Sequence, residues 1–200
     1  MDNINKIVII GGGLAGCEAA YQISKFDINV DLYEMRPKVK TEAHQTKYLA
    51  ELVCSNSFRS DDKEYNAVGV LHEELRIADS LIMKTADNNK VPAGSALAVD
   101  RDDFAKDVNK TINSISNINI INQEVKDLNE FNDQIVIIST GPLTSKILTE
   151  SIKIKTSENS LAFYDAIAPI IYKETINMSV AWKQSRYDKG NGDDYINCPL

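Results

Sequence analysis

The sequence lacks a long hydrophobic run and a secretory signal. No segment approaches the length of about 18 to 20 consecutive apolar residues that a membrane-spanning helix requires. The N terminus, Met1-Asp-Asn-Ile-Asn5, contains neither the basic region nor the apolar region of a signal peptide. A hydrophobic content of 43% with 26% charged residues is typical of a globular chain that buries a core. We therefore expect a cytoplasmic protein that makes no membrane contact.

Cysteine and histidine are also scarce. The three cysteines, Cys17, Cys54 and Cys198, are odd in number and lack Cys-x-x-Cys spacing, which disfavours both a disulfide framework and a zinc cluster. His72 has no cysteine or second histidine near it in the sequence, so a surface or helix-capping histidine is favoured over a metal ligand. We therefore expect reduced thiols and no metal site.

Positive charge is in deficit, because the formal net charge is −7. Broad electrostatic binding of nucleic acid requires clustered lysine and arginine, so any nucleic-acid site must be local. The densest basic stretch runs from Arg36 to Lys40, with Lys47 beyond it. Its pattern favours a solvated loop.

The most informative feature that is present is a glycine-rich turn. It follows an apolar run that starts at Ile7 and precedes a helical pattern from about Leu14 to Lys25. In a dinucleotide-binding fold the first glycine permits a tight exit from the strand, the second lets the backbone approach a pyrophosphate, and the third lets the helix pack on the sheet. The helix then directs its free N–H groups at the phosphates. We predict cofactor contacts from Gly11, Gly12, Gly13, Leu14, Ala15 and Gly16.

A second predicted strand, Ile28 to Tyr33, ends at Glu34, which lies 18 residues after Gly16. This is close to the spacing expected for a carboxylate that accepts hydrogen bonds from ribose hydroxyls. Because a carboxylate would repel a 2′-phosphate, FAD or NAD is favoured over NADP at this position.

The later chain continues an α/β pattern. Residues 36–64 are irregular and polar, and so long a stretch in a compact domain is more often functional than idle. Helices are predicted from Asn66 and from Asp100, which is expected to cap its helix, and strands are predicted at 96–99, 118–121 and 135–138. The last strand is apolar on both faces, which is typical of a central parallel strand. The helix that follows Asn66 is predicted to bury Val68, Leu71, Leu75, Ala78 and Ile82.

The strand at 135–138 ends in Ser139-Thr140-Gly141-Pro142. Small residues at the carboxyl end of such a strand let a ligand come close, and open α/β sheets bind cofactors at that edge. Thr140 and Gly141 are therefore candidate cofactor contacts. A plain turn before a helix at Leu143 is the alternative interpretation.

Several segments resemble the folate- and FAD-dependent tRNA (uracil-5-)-methyltransferases. They extend over nearly the whole chain, and the blocks around Cys54 and after Ser185 are the most specific to these enzymes, whereas the glycine-rich segment is shared with larger relatives that modify tRNA wobble uridines. The matching segments are Gly11–Ala20, Tyr33–Pro37, Glu51–Ser57, Asn66–Gly69, Val91–Gly94, Leu97–Arg101, Ser139–Ser145, Phe163–Ala166 and Ser185–Gly190.

The resemblance implies transfer of one carbon from 5,10-methylenetetrahydrofolate to C5 of a T-loop uridine in tRNA, with reduced FAD as reductant and NAD(P)H regenerating it. It also implies a cofactor contact from Arg36. Uracil C5 is a poor nucleophile, so such chemistry usually recruits a thiolate that adds at C6. Cys54 corresponds to the family cysteine near the flavin, which implies a catalytic role. From the residues alone, a cysteine after Leu52-Val53 is more often a small core residue.

The predicted fold class is therefore α/β. We expect a Rossmann-like FAD-binding fold with a parallel central sheet over residues 1–158, and the start of a smaller α+β insertion domain over 159–200. Members of the resembled family are longer, so we expect an N-terminal portion, with a second catalytic cysteine and a second cofactor-binding segment beyond Leu200. These 200 residues alone are not expected to methylate tRNA. Two alternatives stay open: a non-catalytic FAD- or NAD-binding module, and a related flavoenzyme that modifies rRNA or another tRNA uridine.

Overall fold

The structure is a computed structural model that describes residues 4–158, 171–185, 192–193 and 195–198. The sequence motifs at 163–166 and 186–190 lie outside these residues. The helices and strands in chain order are β1 (Lys6–Ile10), α1 (Leu14–Ser24), β2 (Asn29–Glu34), β3 (Ser57–Ser60), α2 (Ala67–Ile77), α3 (Leu81–Asn88), β4 (Lys90–Val91), β5 (Ala96–Val99), α4 (Arg101–Ser114), β6 (Ile118–Asn122), β7 (Ile135–Ile138), α5 (Lys146–Thr156), β8 (Trp182–Gln184) and β9 (Tyr195–Asn197). Short 3-10 turns occur at Leu128–Phe131, Gly141–Leu143 and Lys173–Thr175.

The chain divides into two compact units. The first comprises Met1–Val53 and Ala105–Ile167, and the second comprises Cys54–Phe104 and Ala168–Leu200. The domain boundary predicted after residue 158 falls beside residues that the structure does not describe, and it stays a prediction.

The first unit contains a parallel sheet with the strand order β6-β2-β1-β7. Ile9 of β1 lies opposite Leu32 of β2 on one side and Ile137 of β7 on the other. Ile9 and Leu32 are fully buried, as expected for parallel strands covered on both faces. Helix α1 makes the crossover between β1 and β2. The predicted Rossmann-like α/β fold with a parallel sheet is therefore confirmed.

One expectation for this sheet was wrong within the described residues. Strand β7 was expected to be central, but there it pairs with β1 alone and forms an edge. Its Ile135 and Ile138 are 46% and 41% exposed. Apolar residues on both faces indicate a strand suited to burial, but they do not specify which strand lies on each side.

The second unit contains antiparallel pairs. Strand β5 lies between β3 and β4, and β8 pairs with β9. The strand predicted at 96–99 and the cap by Asp100 are confirmed, since Asp100 Oδ1 accepts hydrogen bonds from the backbone N–H groups of Asp102 and Asp103, each at 3.0 Å. Strand β3 lies within the stretch that was predicted to be irregular, because Ser-Phe-Arg-Ser shows no clear alternation of apolar and polar residues.

The predicted apolar face of α2 is confirmed in part: Val68 and Leu75 are half-buried, and Ile82 is buried but lies on the next helix, α3. Leu71 is 51% exposed, whereas Gly69 and His72 are the buried residues of the helix. A Cβ on Gly69 would lie 2.3 Å from the carbonyl carbon of Asp62, so the close approach of this backbone decides which face turns inward. Apolar side chains occur on more than one face of α2, and their spacing alone did not identify the buried one.

His72 was expected at the surface, but it is buried in an ion-pair cluster. Its Nδ1 lies 3.0 Å from Asp61 Oδ1, and Asp61 also accepts hydrogen bonds from Arg76 and Lys90. Burial alone would raise the pKa of Asp61, but the hydrogen bonds from these three side chains hold it below its ordinary value.

None of the helices within the described ranges is long and apolar enough to cross a membrane.

Gly16 offers a direct test of how α1 packs on the sheet. A Cβ at Gly16 would lie 1.9 Å from the carbonyl oxygen of Gly11 and 2.7 Å from Ser139 Oγ, whereas a Cβ at Gly13 would meet nothing within 4 Å. We expect Gly16→Ala to lower the free energy of unfolding by about 2–4 kcal/mol, because the backbone of Gly11 cannot move aside. Gly13→Ala, the matched control, should change it by no more than about 1 kcal/mol. Urea denaturation of both variants checks this, and equal stabilities would contradict the packing.

Thiol reactivity tests the burial of the cysteines. Cys17 on α1 is fully buried, and burial raises the pKa of its thiol to about 12, so almost no thiolate forms at about pH 8. Cys54 and Cys198 are exposed. We expect iodoacetamide to label Cys54 and Cys198 in the native protein and Cys17 only after denaturation, as read by peptide mass mapping. Rapid labelling of native Cys17 would show that α1 is not packed as described.

Candidate dinucleotide-binding site

A cavity of about 290 Å³ opens at the carboxyl edge of the parallel sheet in the first unit. All four strands contribute to it, through Ile10 at the end of β1, Glu34 at the end of β2, Gln123 after β6 and Ser139 after β7. This is the edge at which open α/β sheets bind their ligands. The predicted cofactor residues in its wall are Gly11, Gly12, Gly13, Leu14, Ala15, Glu34, Arg36, Thr140 and Gly141.

The glycine turn is shaped by close contacts on three sides. Gly11 has a φ of +107°, and a Cβ there would lie 2.7 Å from the carbonyl oxygen of Ser139. A Cβ at Gly12 would lie 2.6 Å from Leu49 Cδ2, and one at Gly16 would meet Gly11 itself. Gly13 has open space where its Cβ would stand. A ligand can therefore come close to the backbone at Gly13, while the other glycines allow the turn to pack.

The first helix presents an uncapped N terminus to the cavity. Among the described residues no side chain caps α1 at Gly13, whereas α2, α3 and α5 are capped by the side chains of Asn66, Ser80 and Ser145. The backbone N–H groups of the first turn of a helix lack acceptors within the helix. Leu14 and Ala15 of that turn line the cavity. The site is therefore suited to an anion.

Glu34 is a buried carboxylate with both oxygens engaged. Its Oε2 accepts hydrogen bonds from the Gly12 N–H at 3.1 Å and from Arg36 Nη2 at 3.2 Å. Its Oε1 accepts hydrogen bonds from the backbone N–H and the Nε of Arg36 at 3.0 and 2.9 Å. Burial alone would raise the pKa of Glu34, but Arg36 and the Gly12 N–H hold it below its ordinary value. Glu34 is therefore ionised at neutral pH.

Arg36 was expected in a solvated loop, and this was wrong: its side chain is 1% exposed. Besides contacting Glu34, it donates a hydrogen bond from Nη1 to Glu51 Oε2 at 3.0 Å. A run of basic residues is usually solvated, but Arg36 has a carboxylate two residues before it and another fifteen residues after it. The neighbouring Lys38 and Lys40 are exposed, as the pattern predicts.

Glu51 was not identified as a site residue. It accepts hydrogen bonds from the backbone N–H of Gln45 at 2.7 Å and from the Thr46 hydroxyl at 2.9 Å, and it lines the cavity. The same segment is joined to the glycine turn by a hydrogen bond of 2.8 Å from the Ala50 N–H to the Gly12 carbonyl. The only sequence signal for Glu51 was its position at the start of the block that contains Cys54.

Thr140 and Gly141 lie in the cavity wall, where the small-residue motif predicted them. The Thr140 and Thr144 hydroxyl oxygens are 2.6 Å apart, and Gly141 has a φ of +60°. The helix expected at Leu143 begins at Lys146 instead, because a 3-10 turn with Pro142 precedes it and Ser145 caps the helix.

The cysteines fall in different surroundings. Cys17 packs on the sheet, as its sequence position suggested. Cys54 belongs to the second unit and is exposed, so the core interpretation of this residue was wrong. Its carbonyl oxygen accepts a hydrogen bond from Arg101 Nη2 at 3.4 Å. Its placement beside a flavin stays a prediction.

Within the part of the chain that the structure describes, no group of three or more His, Cys, Asp or Glu side chains could hold a metal ion.

Several known proteins are similar to this chain over nearly all of its residues. Relatives from Bartonella henselae, Paramagnetospirillum magneticum and Bradyrhizobium diazoefficiens, each named methylenetetrahydrofolate--tRNA-(uracil-5-)-methyltransferase TrmFO, are 59%, 58% and 58% identical to it. The alignments cover 97%, 96% and 98% of this chain, and 42%, 43% and 42% of the relatives. The chain thus spans about two-fifths of the length of these curated relatives.

Two further comparisons concern the fold and the family. The crystal structure of tetracycline destructase Tet(51) matches at 20% identity over 60% of this chain and 29% of that one, with a TM-score of 0.35, which is too low to support a conclusion. A family model described as "Glucose inhibited division protein A" matches residues 6–200. This match extends over nearly the whole chain, from β1 onward, and includes the glycine turn, Glu34 and Cys54. The chain therefore belongs to the glucose inhibited division protein A family.

Proposed function

We propose that this chain is the FAD-binding N-terminal part of a folate-dependent tRNA (uracil-5-)-methyltransferase. In this proposal a one-carbon unit passes from 5,10-methylenetetrahydrofolate to C5 of a T-loop uridine in tRNA and yields 5-methyluridine. The observation that carries it is the pairing of an open glycine turn with the Glu34 carboxylate in one cavity. The names of relatives that are 58–59% identical supply the reaction.

The residues of the cavity fit the adenylate half of FAD. Gly13 leaves open the space that a Cβ would fill, and the first turn of α1 offers N–H groups for the phosphates. Glu34 places an ionised carboxylate in the cavity wall; ribose hydroxyls would share its oxygens with the hydrogen bonds from Gly12 and Arg36, and the charge would repel a 2′-phosphate. A cavity of about 290 Å³ is just below the range for whole ligand sites, about 300–1,000 Å³, which suits part of a dinucleotide.

Reduced FAD would supply the two electrons that reduce the transferred carbon from the methylene to the methyl level, and would itself be oxidised to FAD. The protein's own residues would bind and orient the cofactor: the glycine turn would hold the phosphates, and Glu34 would fix the ribose. As a thiolate, Cys54 would add to C6 of the uridine and break the C5=C6 π bond, so that C5 attacks the one-carbon unit; loss of the C5 proton and elimination of the thiolate would then restore that bond. Alternatively Cys54 would hold a proton close to the reacting carbon, and its exposure leaves the thiol accessible to RNA. NAD(P)H as the source of electrons for FAD completes the proposal.

Glu34→Gln tests the cofactor site. Alanine would leave the buried Arg36 guanidinium with only Glu51 as a partner, so glutamine, which preserves the volume, is the sharper change. We expect it to weaken FAD binding by about 1–3 kcal/mol, the contribution of a hydrogen bond to a charged group. Calorimetric titration with FAD measures this.

The control for Glu34→Gln is Asp31→Asn, which removes a carboxylate from the same strand at a position that pairs with Lys6. Asp31→Asn should bind FAD as the unaltered chain does. Equal affinity in both variants would argue against a ribose contact at Glu34. A protein that binds no FAD at all would remove the basis of the proposal.

Cys54→Ala tests the methyl-transfer step in a protein of the relatives' full length. We expect formation of 5-methyluridine to fall at least about 100-fold, the scale for losing a covalent or proton-transfer group. Because Cys54 is exposed, the free energy of unfolding should change by less than about 1 kcal/mol. The assay combines tRNA, methylenetetrahydrofolate, FAD and NADPH, with nucleoside analysis of the product.

Cys198→Ala, which also removes an exposed thiol, is the matched control. Methylation by Cys54→Ala at the unaltered rate would assign Cys54 no role in the reaction.

A further inference from the structure

His44 lies in the wall of the cavity, within the irregular stretch 36–64, where no motif marked it as a site residue. It is half-buried, on the segment that Glu51 holds beside the glycine turn. The Nδ1 atom of its ring lies 2.6 Å from Thr41 Oγ1. That bond fixes one edge of the imidazole and leaves Nε2 as its other polar atom.

The hydrogen bonds of the Thr41 hydroxyl bear on which ring nitrogen of His44 carries the proton. Thr41 Oγ1 already accepts a hydrogen bond from the backbone N–H of His44 at 3.3 Å. Among the described residues, Nδ1 of His44 is the acceptor within reach of the Thr41 hydroxyl proton. The 2.6 Å contact fits a hydrogen bond in either direction; with the Thr41 hydroxyl as the donor to Nδ1, the neutral ring carries its proton on Nε2.

The charged groups around His44 favour the neutral ring. Burial and the nearby Arg36 guanidinium lower the pKa of His44, while Glu51 and Glu34 oppose that shift. A neutral imidazole with a proton on Nε2 is a hydrogen-bond donor that adds no second cation beside Arg36. Arg36 itself is almost fully buried and directs Nε, Nη1 and Nη2 at the two glutamates.

We propose that His44 binds the adenylate half of the dinucleotide by donating a hydrogen bond from Nε2 to an oxygen of its ribose or phosphate. The inference rests on the proposed function, since it takes FAD as the ligand of this cavity. The ribose–phosphate portion is the part in question because Glu34 and the glycine turn line the same cavity. In this arrangement Arg36 positions Glu34 and Glu51, and His44 makes the contact with the ligand. Thr41 is a positioning residue that holds the ring in its donor form.

Binding of FAD and of ADP to the full chain tests the proposal, because ADP carries the adenylate half alone. We expect His44→Ala to raise the dissociation constant of each about tenfold, the usual scale for one hydrogen bond to a charged or polar ligand. His44→Gln, whose amide keeps an N–H donor, should recover part of the loss, and Thr41→Val should show a smaller loss than His44→Ala. Gln45→Ala, a change of the adjacent exposed side chain, should bind both ligands as the unaltered chain does.

The outcomes separate this inference from the proposed function. If the unaltered chain binds FAD and ADP and His44→Ala binds them equally well, the inference is wrong and the FAD site stands. If His44→Ala weakens FAD but not ADP, the contact is not with the adenylate half and the inference is also wrong. If the unaltered chain binds neither ligand, both the FAD site and the role of His44 are wrong. Should His44→Ala fail to fold by circular dichroism, His44→Gln and Thr41→Val decide, and unaltered ADP affinity in both would overturn the proposal.

Discussion

The geometry of the candidate site depends on the buried ion pairs of Arg36. A guanidinium that is 1% exposed loses its hydration, and this is tolerated only where its N–H groups meet acceptors of opposite charge. Glu34 and Glu51 meet that requirement, and each is in turn bound by backbone N–H groups, of Gly12 for the first and Gln45 for the second. The result is one continuous set of hydrogen bonds from the glycine turn to the segment before β3. Removing either glutamate would leave a buried charge with too few partners.

This network also sets the electrostatics of the cavity. Two carboxylates face one guanidinium, so the side chains leave a residual negative charge beside a site suited to phosphate groups. Positive partial charge at the cavity comes from the backbone, through the free N–H groups at the start of α1. The two signs suit different parts of one ligand: ribose hydroxyls are donors to a carboxylate, and phosphates are acceptors for N–H groups. An additional phosphate on the ribose would be repelled by the Glu34 carboxylate, which is the physical reason for expecting FAD or NAD rather than NADP.

The parts of the site that could be predicted from the sequence are those determined by short-range pattern. The turn from Gly11 to Gly16 and the position of Glu34 follow from one βαβ unit, whose spacing is fixed by the lengths of a strand and a helix. The roles of Arg36, Glu51 and His44 depend on contacts between a strand end and a loop without periodicity, and no local pattern encodes which side chains of that loop turn inward. The burial of His72 and the exposure of Leu71 on α2 were missed for a related reason, since the close backbone contact between Gly69 and Asp62 is not encoded in the spacing of apolar residues.

The two histidines of the chain show why residue type alone does not assign chemistry. His72 shares Asp61 with Arg76 and Lys90, so its ring belongs to a charge cluster that stabilises the second unit. His44 is held by a neutral hydroxyl and lines a cavity. The Nδ1 atom of His72 contacts a carboxylate that also binds Arg76 and Lys90, whereas Nδ1 of His44 contacts a hydroxyl, and burial together with the nearby Arg36 lowers the pKa of His44. The same side chain therefore serves the fold in one unit and is available to a ligand in the other, and the difference lies in the partner of Nδ1.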